Sequence, residues 1–183
     1  MQRIARAAGL LLTLSAIVSC SSEDPAEGNT GTACRVETVS DDPSFRAEIL
    51  PIFQGSCTFS SSCHGDKNKS QVDLYLGKKK PNEAKGVAPM TDQEVTEMLA
   101  GIVDRASMTA PAVNVITAGD ANASFLMHKL DGTQTQQGFQ CEAQESDLDD
   151  PCGDSMPQTA SEILCQNERD TIRNWINAGA KDN

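Results

Sequence analysis

The sequence predicts a mostly α domain of about four helices joined by long loops, carried behind an export signal and a tether. Three observations predict it. Two segments, around 92–105 and 164–176, place apolar residues at helical spacing. No segment longer than a few residues shows the strict alternation of a strand. Aromatic content is only 4 % and apolar content 38 %, low for a fold that fills its own core, while seven cysteines offer another source of cohesion. A length of 183 residues allows one domain with a tail. The net charge of −11 argues against nucleic acid, because a phosphate binder needs clustered Lys and Arg, and Lys78-Lys79-Lys80 is too short a run to reverse the balance.

Residues 1–19 read as a signal peptide. Arg3 and Arg6 precede an uncharged run from Ala7 to Val18, the length of a signal's apolar region and short for a bilayer span. The run ends Ile17-Val18-Ser19-Cys20, which resembles the lipobox of bacterial lipoproteins. That resemblance implies lipidation at Cys20, and Ser21 in place of an aspartate implies anchoring at the outer membrane, facing periplasm or exterior. The bland alternative is an ordinary secretory signal with Cys20 merely nearby. Loss of Arg3 and Arg6 takes the charge from −11 to −13. Export places the six remaining cysteines in an oxidising compartment, where covalent use is expected.

Residues 20–43 are mostly Ser, Glu, Asp, Gly, Asn and Thr and read as a flexible tether, with Cys34 near its end as a staple to the body. The domain proper is expected over 44–183. Ser44 is placed to cap a helix from Phe45, in which Phe45, Ile49, Ile52 and Phe53 share a face, and Pro51 breaks or restarts it. Residues 55–70 read as loop. Val72, Leu74 and Leu76 alternate with Asp73 and Tyr75, as a short strand or an extended segment over the core. Residues 77–90, with two Gly and two Pro, are loop. Thr91 and Glu94 form a capping box, and Val95, Met98, Leu99, Ile102 and Val103 follow an amphipathic stripe, predicting a helix over about 92–105. Val113 to Thr117 is extended or loop. A short helix carries Phe125, Leu126 and Leu130 and ends at Gly132. Residues 133–158 hold Glu142, Glu145, Asp147, Asp149, Asp150 and Asp154 and no stripe, a long excursion held by Cys141 and Cys152. Leu164, Glu168, Thr171, Ile172, Trp175 and Ile176 define a last helix, capped by Ser161, with Glu162 in its first turn and Gly179 as its stop.

The string Cys57-Thr58-Phe59-Ser60-Ser61-Ser62-Cys63-His64-Gly65 carries the most chemistry. A Cys followed directly by His, with a second Cys upstream, follows the logic of covalent haem attachment: two thiols for two vinyl groups and an imidazole for the iron. The usual spacing is C-x-x-C-H, and here it is C-x5-C-H, with Ser60-Ser61-Ser62 as the bulge. The plain alternative is a Cys57–Cys63 disulfide with His64 on the surface.

Around this string the chain resembles the single-haem c-type cytochrome domains of secreted bacterial lipoproteins. Four pieces carry the resemblance, in order: Phe45-x-x-Glu48-Ile49-x-Pro51-Ile52-Phe53; Cys63-His64-Gly65 with Val72-Asp73-Leu74; Ala118-Gly119-Asp120 with Ser124-Phe125-Leu126-x-His128-Lys129-Leu130; and Met156-Pro157 with Ile172-x-x-Trp175-Ile176-x-Ala178-Gly179-Ala180. The resemblance implies a cytochrome-c-like fold, haem c as cofactor, electron transfer rather than enzymatic catalysis, and redox partners in the envelope. By position it implies Cys57 and Cys63 as thioether residues, with Cys63 the safer, His64 as proximal iron ligand and Met156 as distal ligand, His128 being the rival. A thioether ligand favours reduced iron.

Cys34, Cys141, Cys152 and Cys165 are not needed for haem and permit three pairings. Cys141–Cys152, closing the acidic excursion, and Cys34–Cys165, tying tether to last helix, are favoured. The acidic excursion lacks the spacing of a calcium loop, and a Cys, His and Met set for copper is the weaker metal reading. No Ser/His/Asp arrangement or phosphate-binding glycine loop supports a hydrolase. The competing class is a disulfide-stapled envelope lipoprotein on the same fold, without haem.

Overall fold

The computed structural model describes residues 34–60, 62–142, 150–158 and 164–183. The described part is mostly helical with long loops, in the order α1 (Leu50–Ser56), α2 (Asp92–Ile102), α3 (Phe125–Asp131) and α4 (Gln166–Asn177). Among the described residues there is no strand, and no helix is long and apolar enough to cross a membrane.

The chain enters α1 through a wider turn, Phe45–Ile49, whose amides reach back five residues. Ser44 caps it: its Oγ accepts from Ala47 N at 3.4 Å, and its own N–H donates to Glu48 Oε2 at 2.8 Å. The local reason for the wide turn is Pro51 at the second position of α1. It has no N–H to donate, and its ring needs room against the preceding turn. The helical face predicted for this segment is buried at Phe45, Ile49, Ile52 and Phe53.

Those residues pack on α4, which buries Thr171, Ile172, Trp175 and Ile176. Trp175 lies between the two phenylalanines, with ring centroids 5.3 Å from Phe45 and 6.3 Å from Phe53. Its indole N–H, taken out of water, donates to Lys181 O at 2.8 Å. The first and last helices therefore share one core. Asp131 at the end of α3 ties that helix to α4 by pairing with Arg169 at 2.9 Å and Arg173 at 2.7 Å.

The predicted capping box of α2 is complete, with Thr91 and Glu94 exchanging hydrogen bonds. Val95, Met98 and Ile102 are buried, and the helix stops at Ile102 because Val103 turns extended to pair with Ile116. α3 stops where expected, with Gly132 in the left-handed region at φ 68°. Of the two readings of Val72, Leu74 and Leu76, a strand or an extended segment over the core, the strand does not form: Val72 and Asp73 take positive φ, and the segment lies over the core through Leu76. Two helix boundaries differ. α2 ends at Ile102 rather than near 105. α4 begins at Gln166, with Cys165 extended before it, so Leu164 precedes the helix. Ser161 and Glu162 lie outside the described residues.

Two disulfides are formed, Cys34–Cys165 and Cys141–Cys152, while Cys57 and Cys63 remain free thiols. From Cys34 onward the tether's end lies on the domain. Asn167 Nδ2 donates to Glu37 O at 2.9 Å and Asn174 Nδ2 to Ser40 O at 2.9 Å. Arg35 N–H and guanidinium both reach the buried Glu168, the latter at 3.0 Å. Cys20 lies outside the described residues.

Candidate functional site

Cys57 closes α1, its N–H bonded to Phe53 O at 2.8 Å. The chain then leaves the helix and returns. Cys63 N–H is 3.2 Å from both Ser60 O and Ser60 Oγ, and that hydroxyl also lies 3.0 Å from Cys63 Sγ. His64 N–H donates to Cys57 O at 3.0 Å. In a C-x-x-C-H segment that bond would be the ordinary helical one between positions four apart. Here the same Cys-to-His closure spans seven positions. Gly65 fits because a Cβ there would stand 2.9 Å from Thr58 O, against main chain that cannot yield cheaply.

His64 is buried, and its Nδ1 lies 2.9 Å from Leu74 O. A carbonyl only accepts, so Nδ1 carries the proton and Nε2 the lone pair. This is the tautomer a metal-binding imidazole needs, with its orientation fixed from behind. Burial, helped by the charge of Lys129, moves the His64 pKa down against the effect of the Leu74 bond, which keeps the ring neutral near pH 7. The two thiols differ. Cys57 is buried, and that burial pushes its pKa up to about 12, whereas Cys63 is half-buried.

A cavity of about 500 Å³ opens on these groups. Cys57, Cys63 and His64 line it, and so does Met156, more than ninety positions away in sequence. Val72, Leu74, Leu76, Val115, Phe125, Leu126 and Leu130 make its surface largely apolar. The exposed large apolar side chains among the described residues, Phe59 and Met108, line the same cavity. The four residues expected to act together are thus gathered from two stretches of chain, the end of α1 with the loop after it and the segment that carries Met156.

His128 is not among them. Its Nδ1 lies 2.9 Å from Thr133 Oγ1, its Nε2 lies 2.9 Å from Asn122 O, and its ring packs edge-on against Phe139. With both nitrogens engaged and the ring outside the cavity lining, it is a structural histidine rather than a rival ligand. Glu145, Asp147 and Asp149 lie outside the described residues. Among those described, no group of three or more His, Cys, Asp or Glu side chains is arranged to hold a metal.

Sequence reasoning assigned no role to Lys129, Phe59 or Met108. Lys129 sits between His128 and Leu130, and a lysine on a short helix reads as a solvated charge. The exposed pair carries no pattern that separates it from core residues. No family model, curated protein or solved structure matches the chain.

Proposed function

We propose that this chain is a lipid-anchored c-type cytochrome, a haem-binding electron carrier with a cytochrome-c-like fold, held to the envelope through Cys20. One observation carries the reading: a single cavity gathers two free thiols, an imidazole with its lone pair at Nε2, and the Met156 thioether. The donor set fits haem c. Its volume of about 500 Å³ lies within the range of cofactor sites, roughly 300–1,000 Å³, and its lining is largely apolar, as such sites are. When bound, the group would supply one-electron exchange at iron.

Cys57 and Cys63 would hold it covalently, His64 Nε2 would be the proximal ligand, and Met156 the distal one. The protein's own contribution is to fix the imidazole through Leu74 O, to keep it neutral by burial, and to surround the site with apolar side chains that exclude water. No substrate chemistry is required of these residues, so the role is electron transfer with redox partners in the envelope.

The test is export of the full chain with haem-maturation machinery beside a working control cytochrome. Haem colour should persist with the polypeptide on a denaturing gel, and the mass should exceed that of the bare chain by one haem. His64→Ala should abolish or cripple holoprotein. Met156→Ala should keep haem attached but lower the reduction potential. Cys63→Ser should cost more than Cys57→Ser, since Cys63 adjoins His64 and is the accessible thiol. A colourless wild type of bare polypeptide mass would overturn the reading and leave a disulfide-stapled lipoprotein without haem.

A further inference from the structure

Met156 reaches the cavity on a segment with no helix or strand, whose residues 153–158 are half-buried or exposed. Something must hold it, because a thioether is useful only if it is delivered to one place. Two of the bonds that do so come from one residue of α3. Lys129 O accepts from Met156 N–H at 2.8 Å, and Lys129 Nζ donates to Cys152 O at 2.7 Å. Gly153 lies so close to the ammonium that a Cβ there would stand 3.4 Å from Nζ. Gln134 Nε2 adds a bond to Gly153 O at 2.9 Å, and the Cys141–Cys152 disulfide anchors the segment's start covalently. A lysine with a purely solvating role would extend to water. This one is half-buried, lines the cavity, and donates to a main-chain carbonyl.

We infer that Lys129 is a positioning residue for Met156, its carbonyl and its ammonium fixing the two ends of the Cys152–Met156 segment. The ligand role of Met156 rests on the haem reading; the clamp itself does not. The ammonium's bond is charge-assisted and so stronger than an ordinary hydrogen bond.

The experiment uses the full exported chain as wild type, Lys129→Met and Lys129→Arg. Lys129→Met keeps the apolar stem and removes the donor. Two readouts are taken. The first is amide hydrogen exchange, where Met156 N–H should exchange at least about tenfold faster in Lys129→Met, the size expected for losing a bond from a charged donor. Amides of α2 should be unchanged. The second, in haem-loaded protein, is the thioether-to-ferric-iron absorption per haem, which should weaken or vanish, with a fall in reduction potential. Lys129→Arg should restore most of both. Unchanged exchange at Met156, or acceleration spread equally over α2, would overturn the clamp. A wild type without haem would refute the haem reading alone, since the exchange experiment would still decide the clamp.

Discussion

The two disulfides close loops of very different length, and their removal should separate accordingly. Cys34 and Cys165 are 131 positions apart, and Cys141 and Cys152 only 11. Chain-entropy arithmetic assigns about 5 kcal/mol to the long loop and about 2.8 kcal/mol to the short one. The short bridge lies inside the long loop, but the shortening it causes changes the first figure by only about 0.1 kcal/mol. Losing Cys34 also frees its neighbour Arg35, which bonds Glu168 at 3.0 Å, Ser56 Oγ at 2.9 Å and Gly55 O at 2.7 Å. Glu168 is buried, so a loosened Arg35 leaves a carboxylate short of its partner. This adds to the long-loop loss, although Arg35's own exposure screens the pair. Cys34→Ala/Cys165→Ala should therefore lose about 5 kcal/mol or more, and Cys141→Ala/Cys152→Ala roughly half that. A domain of this size has about 5–15 kcal/mol in total, so the first variant should sit near its folding threshold. Urea unfolding at matched haem content measures both, with an m-value fitted for each variant because its unfolded chain is less constrained. Equal losses to within about 1 kcal/mol, or a larger loss from the short bridge, would refute the loop-entropy account.

Four further outcomes are expected. In haem-free protein at pH 8, iodoacetamide should label Cys63 well before Cys57, whose thiol is buried and titrates at about 12; equal labelling of both in folded protein would contradict that burial. Because the unfolded Cys57 ionises first, its contribution to stability should fall as pH rises from about 9 toward 12. His64 titrates below its ordinary value of 6.5 when folded, so the unfolded chain takes up the proton first. Haem-free wild type should lose stability as pH falls below about 6.5, and the slope of its urea midpoint against pH should exceed that of His64→Gln; identical slopes would refute this. Finally, Cys20→Ala should release the domain from membranes or leave it unprocessed; a processed variant that still sediments with membranes would defeat the lipobox reading.

How much was legible depended on whether the deciding physics was local. α2 and α3 were readable because stripe, capping box and the glycine after Asp131 act within a few residues. Pro51 signalled an interruption, but not that the chain would meet it with a wide turn. Val72, Leu74 and Leu76 alternate like a strand, yet a strand needs a neighbour to pair with. Leu76 N–H instead bonds His64 O, so tertiary contact overrode the pattern. The start of α4 is not legible locally: Cys165 is extended just before the helix and is bonded to Cys34, 131 positions away. At the site, Cys57, Cys63, His64 and Met156 were visible as residue types with known chemistry. Their convergence on one cavity, the closure of His64 on Cys57, and the reach of Lys129 to Cys152 are long-range or geometric facts that no spacing rule encodes.

The turn that leads into α1 is bonded to residues 182 and 183, and this bears on the order in which the fold is completed. Ser44 Oγ donates to Asn183 O across 139 positions, Phe45 N–H donates to Asn183 Oδ1, and Arg46 pairs with Asp182. A chain synthesised from its amino end therefore contains α1 long before it contains the Trp175 that packs on Phe45 and Phe53. Phe45 and Phe53 thus lack their Trp175 neighbour until α4 is in place. Contacts of such sequence separation must pay for closing a long loop before they reward it, so this part of the core is slow to form.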